Sequence, residues 1–194
     1  QWHFGETPIP GGTNRTLMLS DIGFGNAGPY HVVVTNEFGS ATSAVATLTV
    51  NYPPAVVRVV NVQGPAGNIA VPIELVANGN ESALAFSLQF DSSRLSYVSA
   101  NLGADAADAS LVVNTNSKSR GRVGLAIARP AGQTFAAGAR QVTVVTLAVV
   151  PLPLAPSNSA PNIPISFVDD PVVRRLADPS DNSLPAQYQN GTVT

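Results

Sequence analysis

Leu84-Ala85-Phe86-Ser87-Leu88-Gln89-Phe90, followed at once by Asp91-Ser92-Ser93, is the stretch that decides the fold. Large apolar residues stand at every second position. Small or polar residues fill the positions between. A period of two puts one set of side chains into a core and the other outside, so this is a half-buried strand. Burying each Leu or Phe of such a set is worth about 1.5–3 kcal/mol. Asp91 and the two serines then supply turn chemistry, because their side chains hydrogen-bond to the local backbone.

The same reading extends outward in both directions. Ile69-Ala70-Val71-Pro72-Ile73-Glu74-Leu75 alternates, as does Ala46-Thr47-Leu48-Thr49-Val50. Strands are also expected at Thr16–Leu19, His31–Thr35, Val123–Ala128, Val142–Val150 and Ile163–Val168. Turn clusters such as Asn78-Gly79-Asn80 and Pro156-Ser157-Asn158-Ser159 separate them. Only Gly103–Ser110 could make a helical turn, and its low hydrophobicity favours a loop. Short strands without intervening helices define an all-β sandwich or barrel. Asn51-Tyr52-Pro53-Pro54 divides the chain into residues 1–52 and 53–194, because paired prolines resist both helix and sheet ladder.

Composition narrows the function. Hydrophobic residues are 44% of the 194, enough for a core, and charged residues only 11%, against about 25% in an average soluble protein. The net charge of −2 leaves no basic surplus for phosphate, which argues against nucleic acid. Without Cys there is neither a disulfide scaffold nor thiolate chemistry. No apolar run approaches the ~18 residues of a membrane span. The two histidines, His3 and His31, both precede the boundary, so residues 53–194 cannot assemble a Ser-His-Asp set. The expectation is a protein that is not an enzyme and carries no resident cofactor.

Residues 1–52 resemble the C-terminal part of a bacterial immunoglobulin-like domain. The residues that carry the likeness are Trp2, Leu17, Leu19, Ile22, Asn26-Ala27-Gly28-Pro29-Tyr30-His31-Val32, Asn36-Glu37-Phe38-Gly39 and Ala46–Val50. The resemblance implies that Trp2 packs in the core and that Tyr30 bonds back to the backbone as a tyrosine corner. Val32 stands at a disulfide position, and Asn36–Gly39 forms a hairpin. It also implies two strands ahead of Trp2, so the expectation is a partial sandwich that packs on the next module or recruits a neighbouring chain.

Residues 53–194 resemble the cohesin module of bacterial scaffolding proteins, in its broad, non-cellulosomal sense. The signatures run in order: Val56-Val57-Arg58-Val59, Gly67–Ile73 with Pro72, Leu84–Phe90 with Asp91 and Leu95-Ser96-Tyr97-Val98, Gly121–Ala128, Gly138–Val150, Ile163–Phe167, and Asn190-Gly191-Thr192-Val193-Thr194. The resemblance implies a jelly-roll β-sandwich in a secreted or cell-surface bacterial protein. It further implies a dockerin-like partner docked on an outer sheet face. Alternation places Ala85, Ser87 and Gln89 on that face, with Arg122, Gly124 and Ala126 beside them on the middle strand. The face is flat and nearly uncharged, which suits a helix, but equally a bland solvated sheet. Dockerin-binding members carry polar anchors where this sequence has Ala83 and Ala85, a departure that implies a different partner or none. Carbohydrate-binding modules share the architecture, so a polysaccharide ligand is the alternative, and a ligand-free spacer in a surface adhesin is a third. No strip of exposed Trp or Tyr marks a sugar platform. Asp169, Asp170, Asp178 and Asp181 are candidate Ca²⁺ ligands on one long connection. They lack the Asp-x-Asp-x-Asp-Gly order, and Asp is also an ordinary turn former.

Overall fold

The structure is a computed structural model and describes residues 1–64, 67–150 and 162–194. The turn cluster Pro156–Ser159 lies outside the described residues. Two compact units are present, Gln1–Tyr52 and Pro53–Thr194.

In the first unit, strands β1 (Trp2–Phe4), β2 (Thr7–Pro8), β3 (Gly28–Asn36), β4 (Gly39–Thr42) and β5 (Ala46–Leu48) form one sheet. Its order is β2-β1-β3-β4, and β5 pairs with β3. β3 and β4 make a hairpin whose turn is Glu37-Phe38, and the Asn36 side chain accepts the Phe38 N–H at 2.9 Å. Tyr30 is buried, and its hydroxyl donates to the Asn26 carbonyl at 2.7 Å. This is the bond back to the backbone that a corner tyrosine makes. Trp2 lies opposite Val32 and is only half-buried; its Nε1 donates to the Asn14 carbonyl. Thr16–Leu19 is not a strand. Among the described residues no neighbouring backbone hydrogen-bonds to it, so this short apolar run has no ladder to join.

The second unit is a two-sheet sandwich. Its strands are β6 (Ala55–Val59), β7 (Asn68–Ala77), β8 (Ala83–Gln89), β9 (Leu95–Leu102), β10 (Ser110–Asn114), β11 (Arg122–Ala128), β12 (Gly138–Val149), β13 (Ile163–Val168), β14 (Arg175–Ala177), β15 (Ala186–Gln189) and β16 (Gly191–Val193). One sheet runs β10-β11-β8-β13-β16, with β14 also paired to β8. The other runs β15-β6-β7-β12-β9 and is antiparallel except between β15 and β6. Gly103–Ser110 is mostly loop but contains one 3₁₀ turn, Ala104–Ala106.

The core lies between these sheets. Leu84, Phe86, Leu88 and Phe90 point into it, as do Val123, Leu125 and Ile127 from β11 and Val71, Ile73 and Leu75 from β7. Phe167 meets Phe86 edge to face at 5.3 Å, an arrangement that aromatic quadrupoles favour. The turn into β8 is built on a buried acid. Glu81 is 1% exposed, and its carboxylate accepts the N–H groups of Asn78, Gly79 and Asn80 at 2.9–3.2 Å. A buried charge is tolerated where donors converge on it in this way.

Candidate protein-docking face

The outer face of the β10-β11-β8 sheet is set out in cross-strand rows. One row is Ser110, Ala128, Ala83 and Ala177. The next is Val112, Ala126, Ala85 and Arg175. The third is Asn114, Gly124, Ser87 and Val168, and the fourth brings Arg122 beside Gln89 and Ser166.

The first two rows are open to solvent along most of their length. Ala83, Ala85, Ala126 and Ala128 floor a hollow of about 230 Å³, with Val112 and Arg175 at its sides. Val112 is 67% exposed, high for a valine on a strand of a packed sandwich. Arg175 is the one ionisable side chain lining this hollow, and it pairs with Asp181 at 2.7 Å.

The third row is covered, which corrects the expectation for two residues. Ser87 is fully buried and Gly124 is buried, rather than exposed on a flat sheet. The chain leaves β13, passes over the face as Asp169–Arg174, and returns to β8 as β14. The Ser87 hydroxyl donates to the Val172 carbonyl at 2.8 Å and accepts the Val172 N–H at 2.7 Å. At Gly124 a Cβ would collide with Val172 Cγ2 and sit 3.2 Å from Pro171 Cγ. The small residues that make the sheet look flat in sequence are therefore, in this row, the seat of a strap.

The strap is tied at its ends by ion pairs. Asp169 takes the Arg174 guanidinium in a two-pronged contact at 2.8 and 2.9 Å and also accepts the Arg174 N–H. These hydrogen bonds hold the Asp169 carboxyl down at about 2. Arg174 also lies over the Tyr188 ring at 5.2 Å. Asp170 accepts from Arg122 at 2.6 Å, and Arg122 in turn reaches Gln89. The expected face thus divides: Ala85 and Ala126 lie on the open side of the strap, Gln89 and Arg122 on the far side.

The four aspartates proposed as calcium ligands do not converge. Asp169, Asp170 and Asp181 each face a different arginine. Asp178 caps its own turn, accepting from Ser180 and from the Asn182 backbone and side chain, which lowers its pKa. Among the described residues no cluster of three or more His, Asp or Glu could hold a metal ion. Also among those residues, no helix is long and apolar enough to cross a membrane.

Two features are absent from the sequence reading. The strap could have been suspected from Ser87 and Gly124, paired small residues that face each other on adjacent strands. The stacking of His3 on His31, at 4.9 Å between centroids, needed the β1–β3 register, which no local pattern supplies.

No family model and no curated protein matches the sequence. Solved structures do match, cohesins among them. A type I cohesin–dockerin complex of Clostridium thermocellum containing the OlpC cohesin aligns at TM-score 0.59 and 18% identity, over 75% of this chain and 95% of that one. A non-cellulosomal cohesin of the archaeon Archaeoglobus fulgidus aligns at TM-score 0.57 and 13% identity, over 73% and 90%. The third ScaC cohesin of Acetivibrio cellulolyticus, solved with a ScaB dockerin mutated in its C-terminal helix, aligns at 0.56 and 16%, over 72% and 96%. The chain therefore carries the cohesin fold, a jelly-roll β-sandwich. The share aligned is about that of the 142 residues after Tyr52.

Proposed function

We propose that Pro53–Thr194 is a non-catalytic recognition module of a secreted or cell-surface scaffold, and that it takes up a dockerin-like helical protein on the outer face of the β10-β11-β8 sheet. The observation that carries this reading is the open alanine-floored hollow beside Val112. A floor of methyl groups lets a helix approach closely, and exposed apolar surface beside it supplies the driving force. Cohesins of the same fold have been solved with dockerins, which supports the choice of partner. Gln1–Tyr52 fits a companion immunoglobulin-like module, a reading supported by the Tyr30 corner.

Calorimetric titration of the 194-residue chain with a panel of dockerin modules tests the reading. Binding at micromolar or tighter Kd by at least one is expected. Absence of binding across the panel contradicts it.

A further inference from the structure

We infer that the Asp169–Arg174 strap dictates how a partner helix lies: beside the strap, across the strands, over the Ala83/Ala128 and Ala85/Ala126 rows only. The inference rests on the docking reading above but assigns a footprint within the face and a chemistry to the partner.

Strands in a sheet are about 4.8 Å apart, so β10 to β14 spans about 14 Å. A helix with its side chains is about 10–12 Å across. Two rows on one face of a strand are separated by about 7 Å. A helix running along the strands would meet the strap at the third row, where Val172 is seated on Ser87 and Gly124. A helix crossing the strands meets no such barrier. It keeps the alanine floor beneath it, with Val112 at one end and Arg175 at the other.

The strap does not yield readily. Lifting it would strip both hydrogen bonds from the buried Ser87 hydroxyl and break the Arg122–Asp170 contact that ties it to β11, while Asp169 and Arg174 hold its two ends together. Its outermost apolar residue, Val173, is 67% exposed and is available to flank the helix. The far side of the strap, Gln89 and Arg122, stays outside the footprint.

Charge defines the partner further. The hollow is apolar except for Ser110 on β10 and Arg175 at its β14 end, of which only Arg175 carries a charge. Its present counterion, Asp181, has a side chain 78% exposed and is readily exchanged. The matching helix presents small and apolar residues along one side and an acidic residue at the Arg175 end.

The test uses the 194-residue chain and whichever dockerin of the panel binds. Ala126→Arg should weaken binding about 30-fold or more, as expected for a blocked interface centre. Val173→Asp and Arg175→Gln should each weaken it by about 3- to 10-fold, and the Arg175→Gln variant should lose part of the salt dependence. Gln89→Arg should leave Kd within about threefold. Unchanged circular dichroism and melting temperature establish that each variant is folded. Equal losses from Gln89→Arg and Ala126→Arg would overturn the footprint while leaving the docking reading intact. If no dockerin binds the unaltered chain, the docking reading fails and takes the footprint with it.

Discussion

Single residues set the strap and the turns. Ser87 satisfies both backbone groups of Val172, and Gly124 leaves the space that Val172 fills. Ser87→Ala leaves the part-buried N–H and carbonyl of Val172 without their partner and should cost about 1–2 kcal/mol in urea unfolding. Gly124→Ala forces the strap upward, and the overpacking should cost a similar amount, about 1–3 kcal/mol. Unchanged unfolding midpoints in both variants would contradict the seating of the strap. Glu81 is the second such residue. Glu81→Ala should destabilise by about 1–3 kcal/mol, because three part-buried N–H groups lose their carboxylate acceptor, and Glu81→Gln by less, because one acceptor oxygen remains. Asp169 gives a pH signature. Its carboxyl is lowered from 3.8 to about 2 by Arg174, so the tie is fully present above the unfolded value and is lost only as pH falls through the folded one. The Arg174 amide resonance should therefore titrate near pH 2; a midpoint near 3.8 would show the contact absent in solution.

At the scale of elements, alternation is a strong signal where a strand has core on one side. It places β7, β8 and β11 within a residue or two of their observed ends, because Leu84, Phe86 and Leu88 can be buried only with a period of two. The short apolar run Thr16–Leu19, which does not alternate, forms no strand, since a strand exists only where a neighbour accepts its hydrogen bonds, and a neighbour is not a local property. The docking face shows the same limit. Ala85 and Ala126 are legible as outward residues from their position in the alternation. Ser87 and Gly124 obey the same alternation, yet are buried, because a segment some 50–85 residues distant in sequence lies on them. The acidic connection reads in sequence as a set of oxygen ligands. Which arginine each aspartate meets is fixed by the strap's path, and the path uses Asp169 and Asp170 to close on Arg174 and Arg122.

At the scale of the whole molecule, the two units have different means of stability. Pro53–Thr194 closes two sheets over one continuous core. Gln1–Tyr52 has a single sheet and leaves Met18 and Phe38 about 90% exposed. Residues 53–194 expressed alone should therefore unfold in a single cooperative transition and bind the partner with the Kd of the full chain. A loss of binding on removing residues 1–52 would place part of the recognition surface in the first unit.

The proposed docking places a helical protein on the outer face of the β10-β11-β8 sheet. Amide hydrogen exchange, measured with and without the bound dockerin, tests it most directly. Added protection is expected in β8, β10, β11 and the Asp169–Arg175 segment, with none on β9, β12, β7 or β6. Protection confined to the β15-β6-β7-β12-β9 sheet would contradict it.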